Sequence, residues 1–325
     1  MQADVRLRRR ILLTAGGLVV ALLAMAAFAA AYVGAFHDPT PHHVPIGVID
    51  ERSAAALDAS NGAFSARREP TLAALIHDLT ARKIAAGLVG HTLYVASGES
   101  YTTAATVRAV FSKQINGLAV RDVAPLAPGD PRGTTLFYLV IASVFGGYLA
   151  ATIVNLLLGS TPTRLLAAAR IGALTIFAGL AGLVGASILD GYGAITTHFL
   201  ALWWLAAFIV FAAAAATAAL QTALGVAGTG IAMVVFIILG NSSAGGPYQL
   251  TFAPGFWRAI GPYLPQAAGL SALRGAVYFD GTNIGGRLAV LAAYAVIGSI
   301  VCIAIGRRRG PSADELEVAA AAGAL

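Results

Sequence analysis

Three groups of side chains have the types and spacing to do chemistry. His37, His42 and His43 lie beside Asp38, and imidazoles with an acid are donors that a zinc-like ion accepts. Prolines at 39, 41 and 45 hold that stretch extended, so nothing local forces the donors onto one ion. Ser97 and Ser100 are candidate nucleophiles, but no base and orienter stand at a spacing that would activate them. The run GVAGTG (225–230) is glycine-rich like a phosphate loop. A phosphate loop follows a strand and ends in Lys-Ser/Thr; this run lies between apolar segments, and the only lysines are Lys83 and Lys113. No catalytic, cofactor-binding or metal-binding residue is therefore assigned. Any nucleotide hydrolysis has to be supplied by another chain.

The elements around these groups explain more than the groups do. The chain has 325 residues, 58% hydrophobic and 11% charged, against about 25% charged in an average soluble domain. The charges avoid long stretches such as 134–163, which is uncharged, whereas 37–133 has ordinary composition. Two solvents are implied, lipid and water. A spanning helix needs about 20 apolar residues, and six runs qualify: 11–36, 134–158, 165–187, 197–221, 223–241 and 286–306. The expected architecture is an all-α membrane bundle of about six transmembrane helices, with a small extracytoplasmic α/β domain between helices 1 and 2. In sequence order this gives a basic N-terminus (1–10), helix 1 (11–36), the α/β domain (37–133), helices 2–5 (134–241), an outer interfacial or re-entrant hairpin (242–285), helix 6 (286–306) and a tail (307–325). The first run exceeds the about 7–15 residues of a signal core and reads as an uncleaved anchor. Cys302, the sole cysteine, reads as a small buried residue.

Within 37–133, VPIGVID (44–50), 87–97 and 117–123 read as strands. A helix opening at Pro70 would put Leu72, Leu75, Ile76 and Leu79 on one face, and 101–115 reads as a second helix. The order is βαβαβ, followed by a stiff exit linker containing Pro125, Pro128 and Pro131.

The net charge of +6 points to lipid, not nucleic acid, because the basic residues flank apolar runs. Arg8, Arg9 and Arg10 precede the first run and Arg307, Arg308 and Arg309 end the last, as membrane anchors do on the cytoplasmic face. Arg164 falls on the same face in a six-helix count. Both termini are then cytoplasmic in a bacterial inner membrane, and 37–133 lies outside. Arg258 and Arg274 in the outer hairpin, and Arg287 at its junction with helix 6, run against that bias. No Asp or Glu lies in any run, and Arg170, near a cytoplasmic end, is expected to snorkel. An ion-driven carrier usually needs an intramembrane ionisable group, so this pattern speaks against one. Gly179, Gly182 and Gly185 suit close helix packing.

The hairpin is too apolar for a solvated loop and too rich in proline for a span. Phe256 and Trp257 suit the interface, and Pro262 and Pro265 divide the hairpin into two short helices. Pro-Gly-Phe-Trp-Arg (254–258), Gly-Pro-Tyr-Leu-Pro (261–265), Leu-Arg-Gly (273–275) and Tyr-Phe (278–279) before a final helix resemble the permeases of type-2 ABC exporters. More closely, they resemble an actinobacterial-style branch related to the phage-infection-protein membrane family. DVAPLAPGDPRG (122–133), leading into Phe145-Gly146-Gly147-Tyr148, is similar to the same branch, and the layout fits nearly the whole chain. The resemblance implies outward transport of an amphipathic or polymeric substrate, an ABC-type ATPase subunit as partner and a second permease copy. Phe256, Trp257, Arg258, Pro262, Pro265 and Arg274 would belong to the outer hairpin and pathway, and Thr161 and Arg164 would meet the ATPase. The alternative is a non-transporting scaffold or receptor acting through 37–133. A membrane-embedded enzyme lacks a convincing set of polar groups.

Overall fold

The computed structural model describes residues 2–159 and 163–305. A long helix, α1 (Gln2–Phe36), leads into the sheet domain. That domain runs β1 (Val44–Val48), α2 (Glu51–Asp58), β2 (Phe64–Arg68), α3 (Leu72–Thr80), β3 (Ala86–Val89), β4 (Thr92–Val95), α4 (Tyr101–Gln114) and β5 (Ala119–Asp122). The strands form one sheet in the order β2-β1-β3-β4-β5, parallel except at the β3–β4 hairpin.

This corrects the three-strand expectation in two places. The stretch 87–97 is not one strand: Gly90, at φ 57°, turns the chain back after Val89. The edge strand β2 and the helix α2 had not been expected. Asp50 caps α2 by accepting from the Ser53 backbone N–H at 2.8 Å. The third helix begins at Leu72 with Thr71 as its cap, so Pro70 precedes the cap and does not open the helix. Leu75 and Leu79 are buried on that helix, whereas Leu72 faces solvent. Leu75 lies over Gly47 of β1 and Gly87 of β3: a Cβ on Gly87 would collide with Leu75, and one on Gly47 with Ile84 beside it.

The helical region comprises α5 (Thr135–Leu158), α6 (Arg164–Gly191), α7 (Phe199–Leu224), α8 (Val226–Ala232), α9 (Gly240–Ser242), α10 (Gly255–Ile260), α11 (Pro265–Tyr278) and α12 (Gly285–Ile305). Among the described residues, five helices are long and apolar enough to cross a membrane: α1 from Thr14, α5, α6, α7 and α12. The run expected as a fifth span is shorter. It is a 17-residue element, Val226–Ser242, with a π-helical segment at Met233–Leu239 joining α8 to α9. At 1.5 Å per residue it reaches about 25 Å, less than a hydrocarbon core of about 30 Å.

Helix α7 is the hub. It packs against α5, α6, α11 and α12, and each of those neighbours offers it a glycine: Gly147, Gly182, Gly269 and Gly298. A Cβ on Gly182 or Gly298 would lie 2.6 Å from α7 backbone atoms. The alanine run 212–215 on α7 is fully buried, so backbones meet almost directly. Of the glycines expected to do this, Gly182 does, Gly185 meets Leu139, and Gly179 has open space.

Candidate functional site

The hairpin of α10 and α11 joins the sheet domain to the bundle, and its residues divide between two locations. At the first, Trp257 is buried with Ala31 and Ala35 of α1 and with Ile238, which docks α10 on α1. Phe256 stacks edge-on against Trp257 at 5.0 Å but is itself exposed. Arg258 is half-buried near His42. Partial burial, then Arg258 and His43, hold the His42 imidazole below its usual pKa. His42 also lies 3.2 Å from the Thr40 hydroxyl, and His37 Nδ1 lies 2.8 Å from the Val33 carbonyl oxygen. Among the described residues no three histidine, cysteine or carboxylate side chains converge on a point that could hold an ion. Pro262 sits in the 3-10 turn between the helices, and Pro265 is the buried first residue of α11, where its missing N–H costs nothing.

At the second location, α11 is buried along nearly its whole length. Arg274 is buried on this helix. Its guanidinium donates to the carbonyl oxygens of Gly245 at 3.1 Å and Gly246 at 3.2 Å, fixing the loop that follows α9. A second arginine, which the sequence reading did not select, comes from the sheet domain. Arg82 pairs with Glu99 through two nitrogens, at 2.7 and 3.1 Å. It also reaches α11, donating to the Ser271 carbonyl at 2.9 Å and to the Ser271 hydroxyl at 2.7 Å. The Phe279 ring lies 5.5 Å from its guanidinium carbon. Arg82 adopts φ 59°, a left-handed conformation that a non-glycine residue takes up at some cost, and this conformation ends α3.

Two further polar contacts and two apolar ones join the domain to the hairpin. Asn283 donates to the Ala81 carbonyl, and Thr102 to that of Pro247. Phe252 is buried in the core of the sheet domain, and Phe279 in the cluster around Leu75 and Leu79. Between domain and hairpin lies a cavity of about 230 Å³, whose wall includes Arg82, Lys83, Glu99, Ser271, Arg274 and Arg287. Arg274 is thus the one hairpin residue of the expected set on this cavity. No local pattern marks Arg82, because its partner Ser271 is 189 positions away.

A third arginine overturns an expectation. Arg170 does not snorkel; it is fully buried within the bundle. It donates to Gln221 Oε1 at 2.8 Å, to the Ala151 carbonyl at 3.3 Å and to Asn155 Oδ1 at 3.4 Å, while its Nε has no partner. Gln221 in turn donates to Thr152 and Thr229. All the acceptors are neutral. Two of them, Asn155 and Gln221, stand in the last turn of α5 and of α7, where the helix dipoles offer partial negative charge.

Arg164 is exposed at the first position of α6, whose cap is Thr163. Thr161 and Arg307–Arg309 lie outside the described residues. Arg8 is exposed on α1; the side chains of Arg9 and Arg10 also lie outside the description. Comparison with protein-family models, with curated proteins and with solved structures finds no match for this chain.

Proposed function

We propose that this chain is the membrane-embedded permease subunit of an ATP-driven exporter, moving an amphipathic or polymeric substrate outward. One observation supports this reading most. A broken, proline-divided hairpin runs into the bundle, buries α11 against α7 and α12, and is tied to the sheet domain by Arg82. Irregular backbone at membrane depth is stable only when covered by protein or lining a cavity. In this reading the element Val226–Ser242 makes the fifth of six crossings, with the hairpin covering its outer end. Both termini face the bacterial cytoplasm and the sheet domain lies outside. The α5–α6 turn at Thr161 and Arg164 meets an ABC-type ATPase, and a second permease copy completes the pathway. The chain itself is not an enzyme.

The reading predicts that the protein, solubilised gently from its native membrane, brings down an ATP-binding subunit whose hydrolysis it stimulates. Recovery of the intact protein without such a subunit, from membranes that contain one, counts against it. The competing reading, a scaffold or receptor working through residues 37–133, draws on a separate cavity of about 280 Å³ between α2 and α4. It requires that substitutions filling that cavity, such as Ala56→Phe, abolish the cellular phenotype while leaving any ATPase stimulation unchanged.

A further inference from the structure

The cavity between the sheet domain and α11 has an unbalanced wall. Four cationic side chains contribute to it, Arg82, Lys83, Arg274 and Arg287, against one carboxylate, Glu99. Glu99 is already held by two nitrogens of Arg82. The nearby carboxylate of Asp78 meets Lys83 at 3.0 Å and Arg67 at 2.8 Å, and Arg67 also meets Glu69 at 3.2 Å, so the unpaired charge on this wall rests with Arg274 and Arg287. Arg274 is buried, with neutral carbonyl partners. The carboxylates of Glu99 and Asp130 act on it from a distance, but neither pairs with it directly, and a buried guanidinium with no direct ion pair favours the approach of an anion. Arg287 is half-buried and enters no ion pair among the described residues. Its fork of N–H donors is the one on this wall not committed to a partner there. The hydroxyl of Thr251, on the same wall, is buried without a partner.

Size narrows the occupant. Pockets for whole drug-sized ligands run to about 300–1,000 Å³, whereas this one is about 230 Å³. It suits a compact polar group and leaves any attached chain outside. The side chain of Lys83 is 44% exposed, so the cavity opens toward water on that side. A planar guanidinium matches the oxygens of phosphate in a bidentate way, and a lysine supplies a point charge beside it.

We infer that this cavity is a binding site for a phosphate-type oxyanion, held by Arg287 and Lys83, with Arg274 supplying fixed positive charge behind them. The oxyanion belongs either to an anionic lipid headgroup or to free phosphate. The inference concerns binding alone and holds whether or not the chain transports anything.

The experiment uses the full-length protein, purified and freed of lipid. In one arm inorganic phosphate is titrated calorimetrically. In the other, native mass spectrometry counts phosphatidylglycerol retained from mixed micelles against zwitterionic phosphatidylcholine. Binding is expected in at least one arm: in the first for free phosphate, in the second alone for a lipid headgroup. Arg287→Gln should weaken it about tenfold or more, as loss of one charge-assisted contact does, and Lys83→Gln by less. Arg287→Gln removes no partner from a buried group and should melt like the parent, whereas Lys83→Gln takes a partner from Asp78 and its binding is compared at a temperature well below its own melting point. Arg121→Gln, an exposed position on β5 remote from the cavity wall, controls for diffuse surface charge. The inference is overturned if neither ligand is preferred. It is also overturned if Arg287→Gln binds as the parent does, or if Arg121→Gln weakens binding equally.

Discussion

The sheet domain and the helix bundle are packed in opposite ways. In the domain the large side chains point inward: Val44, Ile46, Leu75, Leu93 and Val107 are essentially inaccessible, and charges such as Arg68 and Glu51 face water. In the bundle the α7 interior is alanine and glycine, while Leu156, Leu157, Leu165 and Ile176 are between 68% and 78% exposed. Burial of apolar surface from water stabilises the first region at about 25 cal/mol per Å². The same term does little for the second, because hydrocarbon tails are as apolar as leucine. Close backbone approach and buried polar contacts must hold it together. The lesson is that one chain folds in two solvents, and a substitution should cost according to which solvent its neighbourhood answers to.

The largest effect is expected where the bundle has no room. Gly147 meets the Val210 carbonyl and the Ala213 side chain on α7, and neither backbone can withdraw without separating the helices. Gly147→Leu should destabilise by more than the about 1–3 kcal/mol typical of overpacking and yield little monodisperse protein on size exclusion. Leu156→Ala, about two and a half turns further along the same helix but outward-facing, should leave the melting temperature nearly unchanged. Equal losses from both would mean that packing is not what separates the two regions.

Next comes the domain's own core. Leu75 is fully buried against Gly47 and Gly87, so Leu75→Ala opens a cavity and should cost about 2–5 kcal/mol. Protease sensitivity should then rise within 44–122 before it rises in the helices. Simultaneous loss of both would show that the Arg82 tether couples domain and bundle into one cooperative unit.

Much of this contrast is legible in the sequence. The apolar runs at 134–158 and 286–306 return as α5 and α12 within a residue at each end, because lipid demands length and apolarity from every span. Strand 44–50 and helix 101–115 likewise carry their own periodicity. The parts that escaped lack a local signature. Strand β2 reads FSARR and buries only Phe64; it is an edge strand held by backbone pairing with β1, so alternation is not required of it. Arg170 looked like an interfacial residue because its acceptors, Asn155 and Gln221, lie 15 and 51 positions away and meet it only once α5, α6 and α7 have packed. The cavity beside Arg274 was invisible for the same reason, since its other wall comes from Arg82 and Glu99.

The Arg170 network offers a sharper test of what holds the bundle. Removing an acceptor while keeping the charge should hurt more than removing the charge itself. Gln221→Leu leaves the guanidinium without its shortest contact and should cost about 1.5–3 kcal/mol, the range for hydrogen bonds to charged groups. Arg170→Met fills a similar volume and removes the need for acceptors, so it should cost less, in line with buried ionic groups replaced by apolar ones. Melting temperatures of the two variants in detergent give the order directly. If Arg170→Met is the worse of the two, the arginine is a net stabiliser of the helix contacts.

The smallest effect belongs to a buried carboxylate of the domain with half-exposed partners, and depends on pH. Asp78 is near the C-terminal end of α3, where its carboxylate accepts from Lys83 at 3.0 Å and meets Arg67 at 2.8 Å. The Lys83 hydrogen bond above all, and then the two cationic charges, hold its pKa below the ordinary carboxylate value. A depressed pKa in the folded state means that folding favours the ionised form. The associated stability is therefore present above the unfolded carboxylate pKa of about 3.9 and is lost as pH falls through the lower folded value. Parent protein should melt above Asp78→Asn at pH 6, and the gap should close as the pH is taken below about 4. Because Arg67 and Lys83 are both nearly half exposed, salt should narrow the gap at pH 6 as well. No salt or acid response of this kind is expected for Gln221→Leu, whose contacts are buried among helices. A gap that persisted unchanged at acid pH would show that Asp78 acts through its shape or its hydrogen bonds and not through its charge.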